Sequence, residues 1–328
     1  MKTNNEIISA SRAAIMGIAA LWIMVFHGTI EVPIYGVMTF IKIGYLGVDI
    51  FMFMSGFSMY HSFTRSCQCN TRQFIKKRAL RILPSFIPFA ILWYTHYFYS
   101  NYSTFDMLKN AIHMKEFWIT MVTFRWFVPC ILFCYLFTPL IHKIFNRFGF
   151  KYPVLILIIL PIILVSFIFQ GSSVALMFLL RLPTYVIGYY YAAGKTKEWI
   201  VLRTFACIAG YIGYYFLLRN FSDVYLCDTG LYWYPAILLT PSMVLCVANL
   251  FSRVHGKLIC LFGKYSFEMY LWHVFLLFPF IDLLKKENIQ FDQYNIIINL
   301  IVIFLTLPVA YIYSKAIAYM KGLGKKKE

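Results

Sequence analysis

The stretch Arg72–Pro84 reads RQFIKKRALRILP. Arg72, Lys76, Lys77, Arg78 and Arg81 fall within it, and the chain then returns to apolar sequence. How this run is read decides the fold, because two physical accounts compete. Either it is an inner loop of a membrane protein, where topology favours positive charge, or it is a binding site for an anion.

The rest of the chain settles the solvent. Of its residues, 61% are hydrophobic and 13% are charged, with a mean hydropathy of +0.70. A soluble protein carries about 25% charged residues, roughly twice this fraction. Long apolar runs recur along the whole length, so lipid is the expected main solvent. A net charge of +17 would point to nucleic acid in a soluble chain. Here the basic residues lie between apolar segments, so membrane lipid is the expected surrounding and no nucleic-acid partner is expected. The 25 Tyr and 33 Phe are enough for interfacial belts and for lining a cavity.

Working outward from the basic run, about ten spans of roughly 20 residues can be drawn, the length a ~30 Å hydrocarbon core requires. They are 11–30, 43–63, 82–100, 126–145, 153–170, 173–193, 200–219, 230–251, 264–284 and 295–319. The fifth and sixth are separated only by QGSS, Gln170–Ser173. The expected fold is an all-α integral membrane protein, with about ten transmembrane helices in one bundle. A single membrane-embedded domain covers 1–328, with no soluble domain and no cleavable leader. With the N-terminus inside, 21 of the 30 Lys and Arg fall in inner segments and seven in outer ones, while Arg12 and Arg181 lie within spans. This asymmetry follows the positive-inside rule and predicts that both termini are cytoplasmic. Six basic residues sit between Arg65 and Arg81 where other inner loops have three, so the run has room for an anionic ligand too. The eight cysteines show no disulfide framework and no paired zinc spacing, and no metal site is expected. Cys67 and Cys69 form a lone C-x-C beside the basic run.

Polar groups at membrane depth are costly and therefore candidate functional residues. His27 is the polar ring at the outer end of the first span, in AAIMGIAALWIMVFHGTI. Asp49 lies in the second span, in GYLGVDIFMFMSGFSMY, at a similar depth. A carboxylate there would orient the imidazole and raise its basicity, or pair with Arg12 or Arg181 instead. Arg181, just before Pro183, needs an anionic partner, for which Asp49 and Glu268 are available. Glu268 and His273 lie five apart in SFEMYLWHVFLL and so do not share a helix face. The bland readings are a histidine facing headgroups and ion pairs that order the bundle.

Taken in order, these segments carry a resemblance. GIAALWIMVFH, GYLGVDIFMFMSGF, RALRILP, RWFVPCILFCYLFTP and SFEMYLWH occur in the sequence of motifs found in acyltransferase family 3. Those are membrane proteins that O-acylate cell-surface glycans, and the resemblance extends over nearly the whole chain. One departure is Met16, where family members often carry an Arg; the nearest Arg is Arg12, one turn earlier. The resemblance implies a membrane O-acyltransferase, multi-pass in a bacterial plasma membrane, using cytoplasmic acyl-CoA with acetyl-CoA as the default. The acceptor would be a hydroxyl of a cell-surface glycan or lipid-linked oligosaccharide. Arg78 and Arg81, with Lys77, would bind the CoA phosphates. His27 would serve as general base or carry the acyl group itself. Asp49 would orient His27 or pair with an Arg, and Arg181 would stabilise the oxyanion. The competing classes are a polysaccharide flippase or polymerase, and an ion-coupled transporter. A polymerase calls for an Arg-rich outer loop, yet 101–125 holds only Lys109, Lys115 and Arg125. A transporter calls for repeats and membrane carboxylates, and the chain has no clear repeat.

Overall fold

The computed structural model describes residues 3–28, 30, 32–65, 71–98, 126–194, 200–254, 256–286 and 291–325. The C-x-C at Cys67 and Cys69 and the outer segment 101–125 lie outside the described residues. Among those described, the chain is helical and no strand occurs. Hydrocarbon offers no partner for a backbone N–H or C=O, and helices satisfy both internally.

In chain order the helices are α1 (Asn4–Ala10), α2 (Arg12–His27), α3 (Tyr35–Lys42), α4 (Leu46–Arg65), α5 (Thr71–Phe98), α6 (Phe127–Phe148), α7 (Tyr152–Ser166), α8 (Ser173–Leu179) and α9 (Leu182–Ala193). Then follow α10 (Ile200–Asn220), α11 (Asp223–Thr229), α12 (Tyr234–Phe251), α13 (Lys257–Lys264), α14 (Ser266–Lys286) and α15 (Phe291–Lys325). Among the described residues, six helical stretches are long and apolar enough to cross a membrane, and α1 with α2 forms a further broken candidate bent by 66°. The protein is thus a multi-pass, all-α membrane protein.

Two breaks position the site. α1 opens on a capping box, with Thr3 N donating to Glu6 Oε2 at 2.8 Å and Glu6 N donating to Thr3 Oγ1. At the bend the Ser11 hydroxyl donates to Ala248 O on α12 at 2.9 Å. That bond pins the start of α2 and with it Arg12. The second break splits the expected span 173–193 into α8 and α9 at Leu180–Arg181. Pro183 explains it: proline has no N–H to continue an incoming helix and fits the first turn of a new one.

α4 is the central helix. Gly47 lies against Ala19 and Ile23 of α2, whereas Phe53 and Gly56 lie against α9. Gly56 meets the Tyr185 carbonyl, and Gly188 reciprocally meets the Phe53 carbonyl, closer than any Cβ could sit. The two backbones touch, a packing mode favoured where helices associate without a hydrophobic drive. α10 is peripheral by contrast: Val201 is 74% and Phe205 71% exposed, as a lipid-facing surface would be.

A side chain at the α4–α9 crossing is expected to force the helices apart. Gly188→Val should destabilise the detergent-solubilised protein by about 2–3 kcal/mol or more. Gly213→Ala, with nothing within 4 Å of the new Cβ, should stay within about 0.5 kcal/mol of wild type. Thermal unfolding of the two variants side by side checks this, and equal losses would contradict the crossing.

Candidate active site

The stripe Asp49, Phe53, Gly56 runs down one face of α4 at helical spacing and packs on α9. Gly47, two residues before Asp49, faces α2, and two residues turn a helix by about 200°. Asp49 therefore points away from His27 and toward the start of α9. There its Oδ2 lies 3.1 Å from the Arg181 guanidinium, with the two side chains 0% and 1% exposed. The guanidinium carbon also sits 5.5 Å from the Trp126 ring centroid and 5.9 Å from that of Tyr45, so the cation has aromatic faces as well as a carboxylate around it. Of the three partners open to Asp49 in the sequence, His27, Arg12 and Arg181, the structure places Arg181 against it.

The ring beside His27 is His273, from α14. His273 Nε2 lies 3.3 Å from His27 Nδ1, and the ring centroids are 5.0 Å apart at 65°. His27 Nδ1 also faces Ile23 O at 2.9 Å. His273 Nδ1 faces Tyr270 O at 2.8 Å and Met269 O at 3.2 Å. His27 is partly exposed, whereas His273 is buried at 1%. Asn299 of α15, also buried, lies against the Gly28 backbone at the end of α2.

At the other end of the bundle, where α2 begins and α15 ends, is a cavity of about 820 Å³, a volume within the range of small-molecule sites. Arg12, Arg81, Lys264 and Lys321 contribute to its wall, with Glu268 as the acidic member. Arg81 is the residue of the basic run that reaches it. Arg78 instead donates to Ser62 Oγ on α4 and stacks over Phe74 at 5.6 Å. Lys77 is exposed at the surface of α5. Arg12 lines the cavity, and so does Met16 one turn later.

The cavity extends inward to Phe51, Phe127 and Tyr270. Their centroids are 5.0 Å apart for Phe127–Tyr270, 6.1 Å for Phe51–Phe127 and 6.5 Å for Phe51–Tyr270, which is the spacing of rings in contact. His273 stands three residues beyond Tyr270, about 4.5 Å further along the helix, with ring centroids 5.8 Å apart. Neither histidine lines the cavity. A basic cavity and a pair of imidazoles are thus stacked along the bundle with an aromatic layer between them. Among the described residues, no group of three or more His, Cys, Asp and Glu side chains is placed to hold a metal ion.

Sequence reasoning counted Lys264 and Lys321 only as topological charge, yet both line the cavity. It also passed over Asn299, although an amide in the apolar run NIIINLIVIFL carries the same cost in lipid that singled out His27. The pairing of His27 with His273 had no local signal, since 246 residues separate them.

The described residues thus form an apolar helical bundle with a basic cavity at one end and a histidine pair beyond it. The family profile for an acyltransferase domain, acyltransferase family 3, matches residues 14–315, and the chain belongs to that family. It is a membrane acyltransferase by membership. Compared with curated proteins and with solved structures, the chain has no match.

The buried ion pair generates a stability test. Asp49→Leu and Arg181→Met each strand a buried charge and are expected to cost about 3–5 kcal/mol. The double variant should recover most of that loss, as read by thermal unfolding in detergent. Losses that simply add would show that the two groups are not coupled.

Proposed function

We propose that the protein moves an acyl group, acetyl by default, from acyl-CoA to a hydroxyl of a glycan or lipid-linked oligosaccharide, with His27 as general base. What carries this reading is the alignment of the basic cavity, the aromatic layer and the histidine pair along one bundle. Arg81, Arg12, Lys264 and Lys321 gather enough positive charge to hold the CoA phosphates, with Arg81 and Arg12 offering forked donors that match phosphate oxygens. Arg78 holds α5 to α4 and, with Lys77, adds positive field at the mouth.

In this reading the bundle crosses a bacterial plasma membrane about ten times with both termini in the cytoplasm. The positive-inside count supports that orientation, which turns the basic cavity toward cytoplasmic acyl-CoA. The thioester end would reach His27 when a ring of the Phe51, Phe127 and Tyr270 layer swings aside. The acceptor oxygen then attacks the thioester carbonyl carbon. As the C–O bond forms, the hydroxyl proton passes to His27 Nε2. The C–S bond breaks, and the CoA thiolate leaves and recovers that proton from the imidazolium. Ester and CoA thiol are the products, and the base is regenerated. His27 Nε2 has no hydrogen bond to a described residue, which leaves that nitrogen available for the proton. Arg181, held by Asp49, is the group this reading assigns to oxyanion stabilisation. The Asp49→Leu/Arg181→Met double variant is accordingly expected to regain stability without regaining turnover.

Two measurements test the assignment. His27→Ala should lower acyl modification of surface glycan by about 100-fold or more, with the amount of protein in the membrane unchanged. Retained modification would remove the base. Arg81→Ala should raise the KM for acetyl-CoA about tenfold or more, as expected for a lost charge-assisted bond, and leave kcat within about twofold. An unchanged KM would return the basic run to topology alone.

A further inference from the structure

We infer that His273 is a positioning residue that fixes His27 in the tautomer bearing its proton on Nδ1, leaving the Nε2 lone pair as the proton acceptor. The inference rests on the reading of His27 as the base and deepens it by naming the second ring that makes the base work.

The chemistry follows from which groups can donate. A carbonyl oxygen only accepts. His273 Nδ1 faces the Tyr270 and Met269 carbonyls at 2.8 and 3.2 Å, so it carries the ring proton. A neutral imidazole has one N–H, so His273 Nε2 presents a lone pair. That lone pair points at His27 Nδ1, 3.3 Å away. His27 Nδ1 also faces the Ile23 carbonyl at 2.9 Å. Both neighbours of this atom are acceptors, so His27 Nδ1 carries the proton and shares it between them. One nitrogen is left: His27 Nε2, with a lone pair and no described partner.

The dyad is therefore directional. Donors point from His27 to His273 and from His273 to its own helix backbone, so among the described residues the dyad presents its acceptor at the His27 end. Sharing also matters after proton transfer. When Nε2 takes a proton, Nδ1–H becomes a stronger donor, and the His273 lone pair and Ile23 carbonyl both stabilise the new cation. The Ile23 carbonyl alone, one acceptor in place of two, would hold that tautomer less firmly and stabilise the cation less. His273 can act this way because its ring is buried and its own orientation is held by two backbone carbonyls.

The test follows free CoA released from acetyl-CoA by native membranes carrying the full chain, with acyl label on surface glycan as a second readout. His273→Leu is expected to lower kcat about tenfold or more while KM for acetyl-CoA stays within about twofold. His273→Gln offers a carbonyl oxygen near the position of Nε2 and is expected to recover activity to within about threefold of wild type. A purely structural role would not give this rescue. A further readout needs no variant to fold. Diethyl pyrocarbonate attacks the unprotonated imidazole nitrogen, and peptide mapping of the wild type is expected to find His27 modified ahead of His273. The inference is overturned by a His273→Leu protein as active as wild type, by a Gln variant no better than Leu, or by His273 reacting first. A fully active His27→Ala protein would overturn the base itself. An inactive His27→Ala beside a fully active His273→Leu would overturn only the positioning role of His273.

Discussion

In a bundle surrounded by hydrocarbon, each ionised or hydrogen-bonding side chain needs a partner supplied by another helix, and Asp49 with Arg181 sets the strictest case. Both are essentially without exposure, and either alone would be an uncompensated charge in a medium of low dielectric. They meet where α4 packs on α9, and Gly56 and Gly188 permit the close backbone approach of those helices. The break before Pro183 belongs to the same arrangement, since it places Arg181 at a helix start. Glycines, proline and charges are thus parts of one solution. Its consequence for the site is rotational: with Asp49 committed to α9, the opposite face of α4 is left to α2, and the end of α2 carrying His27 meets α14 instead.

The polar groups that remain are sorted by position along the bundle. Cations gather at the end where α2 starts and α15 finishes, around a cavity partly open to solvent. Neutral polar rings and an amide lie toward the other end, where burying a charge would cost more. In the proposed reaction the histidine pair suits that environment, because both rings are neutral before proton transfer. Charge would appear there only during proton transfer, when the surrounding dipoles are already oriented and a low local dielectric makes them strong. The separation would let one small bundle attract a polyanion at one end while the imidazoles at the other stay neutral between turnovers.

Much of this was legible in the sequence, and the rest had definite reasons for being hidden. Composition and apolar run length revealed the helical membrane class because the bilayer constrains both directly. His27, Asp49 and Arg181 stood out because each is expensive in lipid. The face each one presents was harder. Asp49 beside His27 was a fair reading from depth alone, but depth ignores rotation about the helix axis. Gly47 and Gly56 held the missing information, since small residues mark the faces where neighbours come close. Arg78 and Arg81 read as equivalent partners on one helical face, yet Arg78 is taken up by Ser62 while Arg81 reaches the cavity. Three-residue spacing does not reveal which guanidinium finds a hydroxyl first. The contact between His27 and His273 depends on the packing of α2 on α14, which no local pattern encodes.

The aromatic layer is the feature that makes the whole arrangement tenable. A cation-lined cavity open on one side and a proton-accepting imidazole beyond it would, if joined by water, form a path for protons down a membrane potential. Each charge crossing such a potential is worth about 2.3 kcal/mol per 100 mV, a continuous drain for an idle enzyme. Phe51, Phe127 and Tyr270 lie between the two in ring contact, which places aromatic rings where such a path would run. In the proposed reaction the barrier opens only to be refilled, because the slender arm that carries the thioester occupies the space a ring vacates. The seal passes from aromatic side chain to donor and back again. In that reading, closure at rest and access during turnover would be two occupancies of one gap, with the donor's phosphate-binding energy available to open it.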